Sequence, residues 1–145
     1  MSDRPICLEL SRRFAWPATR VFDAWLDPQV ARRFLFATAT GEMVRAEIDP
    51  RVGGGFVFVD RRDGEDVEHM GKYLEIDRPR RLVFTFGVPK YGPEMSTVEI
   101  TIIPDGPDAC VLTLRHELSA ENAPWRERTE AGWAMILVGL DLALF

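Results

Sequence analysis

From Ile6 the chain alternates apolar and polar residues, Ile6-Cys7-Leu8-Glu9-Leu10-Ser11, which predicts a half-buried strand running to about Phe14. Pro17 then opens a short helix in which Ala18, Val21, Phe22 and Trp25 share a face. Trp16 would be its cap and is chemically poor at it, so packing must hold that turn. Asp27-Pro28 is a stronger start, cap then proline, for a second short helix with Val30, Ala31 and Phe34 inward. From Met43 to Leu118 the pattern becomes strand, turn, strand. Apolar alternation marks 43–48, 56–59, 68–76, 82–86, 97–103 and 110–118. Turn sequences punctuate them: Asp49-Pro50-Arg51-Val52-Gly53-Gly54, Asp63-Gly64, Asp77-Arg78-Pro79-Arg80 and Pro104-Asp105-Gly106-Pro107. Connections this short make the sheet antiparallel, and without βαβ alternation a nucleotide-binding α/β fold is disfavoured.

The last stretch, Asn122 to Phe145, carries a helical period. At 100° per residue, Trp125, Thr129, Trp133, Ile136, Leu140 and Ala143 fall within one arc of about 80°. A second stripe, Met135, Val138, Leu142 and Phe145, takes another face, and Arg126, Glu127, Glu130 and Asp141 fill the rest. A helix so apolar needs a concave partner, which a curved sheet supplies. Gly132 and Gly139 each cost roughly 1 kcal/mol against Ala in a helix interior, so they call for a reason. Either a neighbouring element approaches closely there or space is left for a ligand. The apolar Leu142-Ala143-Leu144-Phe145 end is either tucked under a neighbour such as the second short helix or paired in a homodimer.

With 145 residues, 46% of them apolar, the chain reads as one domain, 1–145, with a real core. A formal charge of −5 argues against nucleic acid or an anionic membrane surface. The run Ala134 to Leu140 is too short to span a bilayer, and MSDRPICLEL lacks the apolar segment of a secretory signal. Cys7 and Cys110 are too few for a disulfide framework and would sit at opposite ends of a paired first and last strand. A reducing cytoplasm is the default location.

The islands Phe14-Ala15-Trp16-Pro17, Val21-Phe22-Asp23-Ala24-Trp25 and Asp27-Pro28 resemble the opening of the activator of heat-shock protein 90 ATPase homologue-like family. That family belongs to the START-like, or SRPBCC, helix-grip superfamily. The resemblance continues through Val52-Gly53-Gly54-Gly55-Phe56, Gly71-Lys72-Tyr73-Leu74-Glu75-Ile76, Leu82-Val83-Phe84-Thr85-Phe86 and Leu112-Thr113-Leu114-Arg115-His116, and ends at Gly132-Trp133. Phe34 stands where the family usually has Trp, and Ala109-Cys110 where a Gly-Thr pair usually opens the last strand. The resemblance implies an α+β helix-grip fold. A curved antiparallel sheet of about seven strands would carry two short helices after the first strand, with the long C-terminal helix packed in its concave face.

No catalytic constellation stands out. Gly53-Gly54-Gly55 precedes a strand rather than a helix, so it reads as a tight turn with a bulge and not as a phosphate cradle. Two histidines and two cysteines at scattered positions give no metal site, and no cofactor is implied. His116 shares a strand face with Leu112, Leu114 and Leu118, so it points at the helix. It is either a satisfied core-edge side chain or a ligand donor or general base. His69 reads as a surface or rim residue.

The aromatics are the better clue. Trp25, Phe34, Phe56, Phe58, Tyr73, Phe84, Phe86, His116, Trp133 and Ile136 are the expected lining of an apolar pocket between sheet and helix. Phe36 and Trp125 add further rings, and Tyr73, Arg12 and Glu99 join His116 as candidate polar handles. The favoured reading is non-catalytic binding of a small hydrophobic molecule. A co-chaperone-like interaction module, suggested only by the family name, ranks second, with a chaperone partner disfavoured. A cyclase- or hydratase-type enzyme using His116 ranks third.

Overall fold

The computed structural model describes residues 5–38, 40–92 and 94–145, so part of the N-terminal segment read above for a signal lies outside the described residues. Strand β1 (Ile6–Phe14) is followed by helices α1 (Ala18–Ala24) and α2 (Pro28–Ala31). Six strands come next: β2 (Glu42–Ile48), β3 (Gly55–Arg62), β4 (Glu65–Asp77), β5 (Arg81–Phe86), β6 (Ser96–Pro104) and β7 (Cys110–Leu118). A 3₁₀ segment, Ala120–Trp125, leads into α3 (Arg126–Ala143). The sheet is antiparallel and seven-stranded, in the order β1-β7-β6-β5-β4-β3-β2. The chain therefore starts at one edge, crosses to the other through α1 and α2, and returns strand by strand until β7 lies against β1.

Local chemistry explains the boundaries. The Asp27 side chain accepts from the Gln29 amide at 2.9 Å and caps α2, as the Asp-Pro pair predicts. α1 starts one residue later than expected, with Pro17 as its uncapped first flank, and is held by burying Val21, Phe22 and Trp25. Gly53 takes φ 87°, a left-handed conformation, within the predicted turn before β3. Along β4 the register shifts between Tyr73 and Glu75, and the Lys72 amide donates to the Thr85 hydroxyl at 2.9 Å. Gly71 is required there, because a Cβ would lie 1.8 Å from the Thr85 carbonyl oxygen. Cys7 and Cys110 are both free and sit at opposite ends of the β1–β7 ladder.

Inward side chains of the sheet, among them Leu8, Phe56, Phe58, Tyr73, Leu82, Phe84, Val98, Ile100, Leu112 and Leu114, are buried. α3 lies over them, but it is rotated relative to the sequence expectation. Its buried stripe is Trp133, Leu137, Leu140 and Leu144, whereas Trp125 is 54% exposed and Ile136 and Ala143 only half-buried. That moves the inward arc by roughly 50° at 100° per residue. The second stripe faces solvent: Met135, Val138, Leu142 and Phe145 are all exposed. Polar clasps set the rotation. Trp16 Nε1 donates to Asp141 Oδ1 at 2.9 Å, and Arg12 Nη2 donates to Asp141 Oδ2 at 3.3 Å. Arg20 lies over the Trp16 ring at 4.4 Å and donates to the Leu144 carbonyl, placing a cation at the negative end of the helix.

The two helix glycines have different roles. A Cβ on Gly139 would lie 3.2 Å from the Phe34 Cβ, so close packing against the residues after α2 accounts for it. At Gly132 a Cβ would meet nothing within 4 Å, and the residue is exposed. Gly139→Leu is therefore expected to lower the unfolding free energy by about 1–3 kcal/mol through overpacking. Gly132→Ala should raise it by about 0.5–1 kcal/mol through helix propensity alone. Urea denaturation of both variants checks the pair of signs.

Candidate functional site

Period-two alternation along β3, β4 and β5 sends Phe56 and Phe58, His69 and Tyr73, and Phe84 and Phe86 to the face under α3. β7 adds His116, α3 adds Trp133, and the turn after α2 adds Phe36. These rings form one cluster. Phe36 stacks on His69 at 4.6 Å and on Phe86 at 4.8 Å, each within 9° of parallel. It meets Trp133 and Phe58 edge-on, both at 5.9 Å. Phe56 links this group to Tyr73 at 5.7 Å and Phe84 at 5.5 Å. Trp25 and Phe34 form a separate edge-to-face pair at 5.3 Å beside the short helices. Phe86 and Ile136 are only half-buried and mark where the packed interior meets solvent.

His116 is fully engaged. Its Nδ1 accepts from the Trp133 indole N–H at 2.9 Å, so the proton of the neutral ring sits on Nε2. Nε2 lies 2.6 Å from the Ser96 hydroxyl, which in turn donates to the Phe86 carbonyl at 3.2 Å. Burial pushes the His116 imidazole down to about 4. With both nitrogens committed and no carboxylate on the ring, it is a neutral structural histidine that fixes α3 on the sheet. The general-base alternative loses its residue.

His69 is not at the surface: it is 5% exposed, and burial together with the charge of Arg62 pushes it down to about 4. The signal was in the alternation, since His69 and Tyr73 are four apart on one strand and must share a face. Its Nδ1 has no hydrogen-bond partner among the described residues. Two residues past Phe58 on β3, Asp60 is also buried, and its Oδ2 accepts from the Thr38 hydroxyl and from Arg62 Nε, both at 2.8 Å. Arg62 Nη2 donates to the Phe36 carbonyl at 3.1 Å. The pair Asp60–Arg62 thus ties the turn bearing Phe36 to β3. Phe36 itself holds φ 60°, a left-handed conformation that costs about 1–2 kcal/mol for a residue with a Cβ.

Of the other expected handles, only Tyr73 stays with the rings. Tyr73 is buried among the rings, which pushes its phenol up. Arg12 pairs with Asp141, and Glu99 alternates away from Val98 and Ile100 to the opposite face, where it pairs with Arg81 at 3.2 Å. That opposite face carries an open recess of about 700 Å³, lined by residues including Arg45, Val57, Met70, Lys72, Thr85 and Met95. It is built mainly on side chains that point away from the ring cluster. Among the described residues no group of three His, Cys, Asp or Glu side chains could hold a metal ion. No helix among them is long and apolar enough to cross a membrane.

A curved seven-stranded antiparallel sheet gripping one long C-terminal helix is the START-like helix-grip architecture. Residues 15–144 match the family described as activator of Hsp90 ATPase homolog 1-like protein, and the chain belongs to that family. Among solved structures, a protein from Chromobacterium violaceum is 25% identical, with 95% of this chain and 96% of that one covered and a TM-score of 0.82. A protein of unknown function from Staphylococcus aureus shares the fold at TM-score 0.86 and 13% identity, over 99% of this chain and 95% of that one. One from Nitrosomonas europaea superposes at TM-score 0.81 with 22% identity, over 96% and 94%. No curated protein matches the chain.

The two histidines make acid stability testable. Each is held neutral in the fold at about 4 and ionises near 6.5 when unfolded, so the unfolded chain binds more protons between those values. Their contribution is complete above pH 6.5 and is lost as pH falls towards 4, on the order of 3 kcal/mol per histidine. NMR titration of the His116 ring should give a midpoint near 4, with the neutral ring above it in the Nε2-protonated tautomer. A midpoint near 6.5 contradicts a buried ring.

Proposed function

We propose that this protein binds a small hydrophobic molecule between the inward faces of β3–β5 and β7 and the underside of α3, without transforming it. The observation that carries this is the ring cluster itself. Aromatic side chains from four strands, a turn and α3 converge beneath one helix and touch mainly through ring faces and edges. Phe56, Phe58, Tyr73, Phe84, Phe86, His116, Trp133 and Ile136 would line the site, with Trp25 and Phe34 supporting it from the side of the short helices. His116 offers a ligand no free ring nitrogen, since it already serves Trp133 and Ser96.

Titration with the neutral dye N-phenyl-1-naphthylamine is the test. Saturable fluorescence enhancement is expected, with competition by other apolar molecules. Ile136→Lys, at the half-buried edge of α3, should weaken binding roughly tenfold while leaving far-UV circular dichroism unchanged. Dye that binds non-saturably, or equally well to the variant, contradicts the site.

The exposed Met135, Val138, Leu142 and Phe145 support a second, compatible reading, in which two copies pair through this face of α3. Light scattering should give a dimer mass for the native chain. Leu142→Glu with Met135→Glu should return it to monomer with the fold intact; an unaltered mass rules the face out.

A further inference from the structure

Phe36 differs from every other member of the ring cluster in what holds it. Its neighbours sit on strands or on α3, where moving them breaks ladder rungs or helix bonds. Phe36 comes from the turn between α2 and β2, and is 5% exposed. Its ring lies flat across His69 and Phe86, whose own centroids are 6.0 Å apart and within 6° of parallel. Those two rings make a platform, and Phe36 occupies it as a flat ligand would, with the edges of Trp133 and Phe58 closing the sides. To reach the platform its backbone adopts φ 60°, a conformation rare for an aromatic residue, and its carbonyl is clasped by Arg62. Stacking, that clasp and the Thr38–Asp60 hydrogen bond hold the turn with Phe36 in an unfavourable backbone state, which withdrawal of the ring would release.

We propose that Phe36 is an internal plug standing in for the ligand's own ring, so that the site takes a planar aromatic molecule which displaces Phe36 and stacks on His69 and Phe86. The inference rests on the binding function proposed above and adds its ligand class and its gate. Stacking on a two-ring platform favours flat molecules over flexible chains, because only a flat face replaces all of the contacts that Phe36 gives up. Withdrawal of Phe36 also relaxes its left-handed backbone, which offsets part of the displacement. A neutral His69 ring suits this role, since an uncharged platform accepts an apolar face without a desolvated cation beneath it. In the closed state the plug lowers apparent affinity by the fraction of molecules that are open.

The test compares N-phenyl-1-naphthylamine, flat and neutral, with decanol, a flexible chain, on the full chain. Phe36→Ala removes the plug, and its dye affinity should rise roughly tenfold over the native chain, with decanol affinity changed less than threefold. Phe36→Leu, which keeps apolar volume but not the flat ring, guards against a destabilised alanine variant and should show an intermediate gain. In the native chain saturated with dye, NMR contacts between the Phe36 and His69 rings should vanish and be replaced by dye–His69 contacts. Equal dye affinity in both folded variants and the native chain, or persistence of the Phe36–His69 contacts at saturation, overturns the plug while binding stands. If neither the native chain nor a folded variant binds dye or decanol, the binding function itself fails.

Discussion

The hydrogen bond from the Trp133 indole to His116 Nδ1 is the constraint on which the concave side of this protein depends. A buried indole N–H is stabilised by an acceptor, and a neutral imidazole offers one only at the nitrogen without a proton. That single requirement fixes the His116 tautomer and sends Nε2–H to Ser96, while burial keeps the imidazole uncharged. It also fixes the rotation of α3, because Trp133 can reach His116 from only one face of the helix. Leu137, Leu140 and Leu144 are then carried inward at helical spacing. Asp141 confirms the rotation from the far end through Trp16 and Arg12.

Once α3 is fixed, the rest of the interior follows from a shortage of covering side chains. One helix presents a narrow stripe, and a seven-stranded sheet presents a wide concave face. Rings on β3, β4 and β5 are large enough to reach across the gap, and Phe36 reaches in from the turn after α2 to complete the packing. Aromatic pairs at 4.6–6.5 Å hold by dispersion and modest directional terms rather than by interlocking shape. Such an interior is closed, and the binding proposed above requires one of these rings to move aside.

Much of this architecture was legible in the chain. Alternation placed all seven strands, Asp27-Pro28 placed the start of α2, and the leucines around His116 gave its direction. What could not be read has specific causes. The rotation of α3 was missed because apolar residues occupy two wide arcs, and only the partners of Trp133 and Asp141 choose between them. His69 is buried rather than at the surface or rim because it shares strand parity with Tyr73. Phe36 was counted among the aromatics but not in the site. No local pattern announces a left-handed phenylalanine, since that conformation is imposed by the platform it lands on.

The helix-grip interior as a binding site for flat apolar molecules is the central claim, and a crystal structure of the chain grown with saturating N-phenyl-1-naphthylamine tests it most directly. The dye is expected between α3 and the inward faces of β4 and β5, stacked on His69 and Phe86 beneath Trp133. Dye found instead in the open recess beside Lys72 and Met95, or on the exposed Met135–Leu142 stripe, with the ring cluster unchanged, would contradict it.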